Sequence, residues 1–159
     1  MNKWLSYPNP VNYYAVRMVA VFVLAVSMIT IALDVPWLTI VLAVGFLIRM
    51  ATGPRFEPVA VIVSRGVMPV VGEPENLVPG PPKRFAQAIG FVTSTLAAIL
   101  AYGFGLVGVA YLLMGVIAFA AALEVFASFC LGTWMFGYLL RWKIIPAKMC
   151  PDCLEEQSS

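Results

Sequence analysis

FAQAIGFVTSTLAAILAYGFGLVGVAYLLMGVIAFAAALEVFASFCLGTWMFGYLL, residues 85–140, is a run of 56 residues in which Glu124 is the only charged residue. As a single α-helix it would be about 84 Å long, far more than the ~30 Å hydrocarbon core of a bilayer. The run must therefore turn back on itself. Gly103, Gly105 and Gly108 lie near its middle and supply residues suited to a turn. The run predicts two membrane spans, at about residues 85–102 and 106–126.

A second pair of spans is predicted upstream of this run. Residues 15–33 are almost entirely apolar and close to the ~20 residues that a spanning helix needs. Pro36 fits the first turn of a further helix, at about residues 36–50, and we expect Arg49 near its end to extend towards lipid headgroups. The predicted fold class is an all-α membrane protein with four transmembrane helices arranged as two hairpins.

The composition agrees with a membrane environment. Of the 159 residues, 62% are hydrophobic and 11% charged, whereas soluble domains carry about 25% charged residues. This excludes an ordinary soluble domain, and a net charge of +2 without a basic cluster excludes a nucleic-acid partner. We expect one membrane domain over residues 1–142 and a tail over residues 143–159.

The basic residues indicate an orientation. None of the ten Lys and Arg residues lies at the two predicted hairpin tips, near Asp34 and Gly105. By the positive-inside rule, both termini and the Pro-rich link over residues 51–84 are expected on the cytoplasmic side.

A short helix is predicted after the fourth span, at about residues 133–142. Trp134, Tyr138 and Trp142 recur every four residues and would share one face. Such a face is typical of a helix lying in the membrane interface, in contact with lipid, although it would also suit a protein partner.

Small side chains form a stripe on the third predicted span, at Ala86, Gly90, Ser94 and Ala98. A stripe of this kind allows two helices to approach closely. The sequence leaves open whether it packs within the chain, in a homodimer, or against a helix of a larger membrane complex.

Cys150 and Cys153 form a C-x-x-C element, which can close a disulfide or contribute two ligands to a metal such as zinc. The chain has no His, so His-ligated haem is not expected, and a closed zinc site would need Asp152, Glu155 or a second chain. With Cys130, the pair also forms a candidate redox site on the cytoplasmic side.

Three further residues are candidates for binding. Glu124 lies near the inner end of the fourth span, where it can reach water, pair with Arg17 or Arg84, or serve as a proton or ligand site. Arg84 and Gln87 lie where the third span begins. They can anchor and pack this helix, or bind an anionic or polar ligand.

The stretches Gly53–Pro58, Lys83–Gly90 and Phe129–Gly132 resemble an uncharacterised bacterial family of four-helix integral membrane proteins, domain of unknown function 4395. The family pattern has an R-F-x-Q element and a C-x-G-C element. This chain has Thr133 in place of the second Cys, so only Cys130 is carried over. The resemblance implies a bacterial inner-membrane protein and no established activity.

No reaction follows from the sequence. The favoured interpretation is a small non-enzymatic membrane protein, such as an accessory subunit of a membrane complex, with no cofactor identified. The alternative is a membrane-bound thiol redox or metal-binding protein that uses Cys150 and Cys153.

Overall fold

The computed structural model describes residues 11–52, 62, 65–66, 77–78 and 80–144. Within these residues the fold is all-α apart from one two-residue antiparallel strand pair. The strands are β1 (Val11–Asn12) and β2 (Leu77–Val78), and the five helices are α1 (Tyr13–Ala32), α2 (Leu38–Thr52), α3 (Gly80–Gly103), α4 (Val107–Ala127) and α5 (Leu131–Arg141).

Three of these helices are long and apolar enough to cross a membrane, and they indicate a membrane protein. They are α1 over residues Tyr14–Ala32, α3 and α4, whereas α2 is apolar but shorter, over Leu38–Ala51. Large apolar side chains such as Val92, Leu112 and Phe119 are exposed on the outside of α3 and α4. A surface of this kind is stable in lipid and not in water.

Helix α3 begins at Gly80, before the predicted start at Phe85. The cause is the pair Pro81 and Pro82. The predicted Pro-rich link over residues 51–84 includes both residues, but the first turn of a helix does not use the N–H groups that proline lacks. The earlier start places Lys83 and Arg84 inside the first turns of the helix.

The turn between α3 and α4 lies where the glycines predicted it. Gly105 has a φ of +67°, a left-handed conformation that glycine adopts without steric cost. The backbone N–H of Leu106 donates a hydrogen bond of 2.8 Å to the carbonyl of Leu100 and closes the turn.

The helices pack as a bundle in which α1 lies mainly against α4, and α2 mainly against α3. Val23, Leu42, Phe46, Ala97 and Met114 belong to its main hydrophobic core. Because each helix contributes small or branched side chains here, the four helices meet closely along their inner faces.

The two hairpin tips lie at the same end of the bundle. The Tyr111 hydroxyl, near the start of α4, donates a hydrogen bond to the carboxylate of Asp34 in the α1–α2 turn. At the opposite end, Arg17 of α1 and Lys83 of α3 both contact the last turns of α4. The hairpin tips therefore lie at one end of the bundle, and the buried Lys83 and the partly buried Arg17 lie at the other.

Candidate functional site

Two of the three stretches that carried the family resemblance pack directly against each other, and the third, Gly53–Pro58, lies outside the described residues. Gly132 of α5 lies on Ala86 of α3, so closely that a Cβ atom on Gly132 would be 2.4 Å from the Ala86 Cβ. Beside them, the rings of Phe85 and Phe136 are 5.6 Å apart between centroids. Glycine is thus required at position 132 for α5 to reach the start of α3.

This contact forms one wall of a cavity that all five helices line, which we call the motif cavity. Its volume is about 230 Å³, and most of its wall is apolar, with Val16, Phe46, Ile117 and Leu131 among the lining residues. A cavity of about 150 Å³ is enough to bind benzene, so the motif cavity has room for one substituted ring or a short acyl segment.

Three residues that the sequence singled out line this cavity together: Gln87, Glu124 and Cys130. The Gln87 Oε1 atom is buried and has no hydrogen-bond partner within the described residues. A buried acceptor without a donor costs free energy, which a ligand with an O–H or N–H group would recover.

Glu124 forms an ion pair with Lys83. The Lys83 Nζ atom donates to the Glu124 Oε1 atom at 2.7 Å, and the side chains are only 6% and 14% exposed. The pair joins the start of α3 to the end of α4. Of the outcomes expected for Glu124, pairing is observed, but the partner is neither Arg17 nor Arg84.

Those two arginines lie elsewhere. Arg17 donates from both Nε, at 2.9 Å, and Nη2 to the backbone carbonyl of Val125, the residue after Glu124. Arg84 is exposed and does not line the motif cavity. Of the predicted pair Arg84 and Gln87, therefore, only Gln87 reaches the cavity.

Arg49 differs from the expectation of a side chain extended towards headgroups. It is 5% exposed and lines the motif cavity, with its guanidinium carbon 5.5 Å from the centroid of the Phe46 ring. The reason is that α2 packs along α3, which places the Arg49 side chain on the inner face of α2. The favourable cation–π geometry helps to hold a charge at this depth.

Cys130 precedes α5 and is a free thiol, partly buried. Three residues later, the Thr133 Oγ1 atom is buried and has no hydrogen-bond partner in the part of the chain that the structure describes. Cys150 and Cys153, the candidate redox and metal residues, lie outside the described residues.

Sequence reasoning missed Arg49 as a residue of the cavity wall and Lys83 as the partner of Glu124. Lys83 was assigned to the link because α3 was expected to begin at Phe85. With a helix start at Gly80, Lys83 lies four residues before Gln87 on the same helical face. This spacing would have indicated that Lys83 faces the inside of the bundle, where Glu124 lies.

The family model for "Domain of unknown function (DUF4395)" matches residues 11–141. No curated protein and no solved structure matches the chain. The matched range contains both packed elements and every helix that the structure describes. The chain therefore belongs to the family of domain of unknown function 4395.

Proposed function

We propose that this protein is a multi-pass protein of the bacterial inner membrane, with α1 to α4 as four spans and both termini in the cytoplasm. The packing of α2 along α3 supports a fourth span, although α2 is short. Arg17, Arg49 and Lys83 all lie at the end of the bundle opposite the hairpin tips, which supports this orientation.

The exposed aromatic face of α5 supports a location in the inner interface. The Trp134 and Tyr138 rings are 4.4 Å apart between centroids, and Tyr138 and Trp142 are 6.4 Å apart. All three side chains are exposed, while Gly132 and Phe136 on the other face are buried. Aromatic rings with polar edges are favourable at the level of lipid headgroups.

In this setting, the function that the geometry supports best is non-enzymatic: the protein binds one small, largely apolar molecule in the motif cavity, as an accessory subunit of a membrane complex. The observation that carries this proposal is the meeting of Gln87, Glu124 and Cys130 in the wall of one apolar cavity. An apolar cavity with a few convergent polar groups is the usual form of a small-molecule site.

Filling the cavity tests this proposal. Ala120 of α4 lines the cavity, whereas Ala122, two residues further along the same helix, does not. Native mass spectrometry of the protein purified in mild detergent should show a single bound small molecule, together with any stoichiometric partner chain. The substitution Ala120→Phe should lower the bound fraction roughly tenfold or more, because the ring occupies the cavity.

Ala122→Phe is the matched control, and it should retain the bound molecule. The proposal is wrong if the wild-type protein carries no such molecule, or if Ala120→Phe retains it as well as Ala122→Phe does.

A second candidate function is thiol redox chemistry, and the position of Cys130 in the cavity wall favours it. In this case Cys150 and Cys153 would exchange with a disulfide of a cytosolic partner. Their two thiols would be oxidised to one disulfide, while the partner's disulfide is reduced to two thiols. In a second exchange the Cys130 thiolate would attack the Cys150–Cys153 disulfide, form a disulfide with one of these cysteines and release the other as a thiol.

Disulfide trapping tests this candidate. Oxidation of membranes with a mild thiol oxidant should leave Cys153 resistant to alkylation in the wild-type protein. It should leave Cys153 freely alkylated in Cys150→Ser. Equal alkylation of Cys153 in the two proteins would rule out a paired dithiol.

A further inference from the structure

The lining of the motif cavity includes apolar residues that are exposed on the outside of the bundle. Of its lining residues, Val116 of α4 and Met135 of α5 are exposed, by 54% and 44%, and both are apolar. Val116 lies near the middle of α4, at the depth of the acyl chains if α4 spans the membrane. A molecule that enters here comes from the lipid phase, so it must be lipid-soluble.

The wall offers both kinds of hydrogen-bonding group. Gln87 presents its Oε1 atom as an acceptor to which none of the described residues donates, and the Glu124 carboxylate is a second acceptor. Arg49 contributes a guanidinium group, which only donates. A ligand that satisfies the Gln87 oxygen therefore carries at least one O–H or N–H group.

The same wall disfavours two other classes of lipid-soluble ligand. A fatty-acid carboxylate has no hydrogen to donate, so it would leave Gln87 Oε1 without a donor whichever group of the wall it contacts. A hydrocarbon would leave the buried Gln87 oxygen without a donor, at a free-energy cost. The volume of about 230 Å³ accommodates one substituted ring.

We propose that the motif cavity binds the ring of a lipid-soluble quinol, with its alkyl tail leaving past Val116 and Met135. A quinol hydroxyl donates to Gln87 Oε1, and the ring packs on the apolar wall. This inference rests on the proposed binding function and adds the class of ligand.

Binding is measured in lipid nanodiscs, under anaerobic conditions, with three probes that share a ten-carbon tail: a decyl-substituted 1,4-benzoquinol, decylbenzene and decanoate. The quinol should bind wild-type protein roughly tenfold more tightly than decylbenzene, the effect of about one satisfied buried hydrogen bond, and should also bind more tightly than decanoate. Ala120→Phe should abolish binding of the quinol and of decylbenzene.

Two variants on α3 identify the group that recognises the hydroxyl. Gln87→Met removes the amide at nearly constant volume and should weaken quinol binding roughly tenfold while leaving decylbenzene binding unchanged. Because no described residue donates a hydrogen bond to the Gln87 oxygen, this variant should melt at an unchanged or higher temperature. Thr93→Val is the control, since the Thr93 hydroxyl already donates to the Ile89 carbonyl at 2.9 Å.

Equal affinities for the quinol and decylbenzene, or an unchanged quinol affinity in Gln87→Met, would overturn the quinol assignment and leave the cavity as a site for another apolar molecule. Absence of binding of all three probes to the wild-type protein would overturn the assignment and the proposed binding function together.

Discussion

Replacing Lys83 with methionine is expected to lower the free energy of unfolding by about 3–5 kcal/mol. The substitution leaves the Glu124 carboxylate, 14% exposed, without the ammonium group that lies 2.7 Å from it. A buried charge without a partner is costly, because the protein interior solvates it poorly. The loss is measured by titrating the detergent-solubilised protein with a denaturing detergent and following helicity by circular dichroism.

Arg84→Met is the matched control, because Arg84 is the next cation along α3 and is exposed. It should change the unfolding free energy by no more than about 0.5 kcal/mol. The double variant Lys83→Met with Glu124→Met removes both charges and should recover most of the loss. If Lys83→Met and Arg84→Met are equally stable, the ion pair does not hold α3 to α4.

Gly132→Ala is expected to destabilise the protein by about 1–3 kcal/mol, the usual cost of overpacking. The added methyl group would lie 2.4 Å from the Ala86 Cβ and 2.6 Å from the Ala86 Cα. Since one of these atoms belongs to the backbone of α3, a side-chain rotation cannot relieve the clash. The helices would have to separate, which also opens the wall of the motif cavity.

Two variants separate this clash from the general effect of removing a glycine. Gly115→Ala on α4 meets nothing within 4 Å and should stabilise the helix by about 0.5–1 kcal/mol. Ala86→Gly should restore part of the stability when combined with Gly132→Ala, because it removes the Ala86 Cβ, which is the atom nearest to the added methyl group. A Gly132→Ala protein as stable as Gly115→Ala would show that α5 does not pack closely on α3.

Much of the fold was predictable because lipid leaves few ways to place a chain so poor in charges. The length of the run over residues 85–140 required a turn, and Gly105 adopts the left-handed conformation found there. The error at the start of α3 came from treating Pro81 and Pro82 as residues of an extended link. Prolines are compatible with both an extended chain and the first turn of a helix, so they did not decide between the two.

The candidate site was predictable only in part. Glu124 and Gln87 could be selected because ionisable and polar groups in a span need partners. Their partners depend on how the helices are rotated about their axes, which the sequence does not determine. The inward position of Arg49 depends on such a rotation, because only the packing of α2 on α3 places its guanidinium group in the cavity wall.

The central claim is that the motif cavity holds a small molecule in the membrane. Its most direct test is the amount of small molecule that remains bound per chain, measured by native mass spectrometry on wild-type protein, Ala120→Phe and Ala122→Phe purified side by side. We predict a bound molecule in the wild-type protein and in Ala122→Phe, and its loss in Ala120→Phe. Equal occupancy in all three proteins, or an empty wild-type protein, would contradict the account.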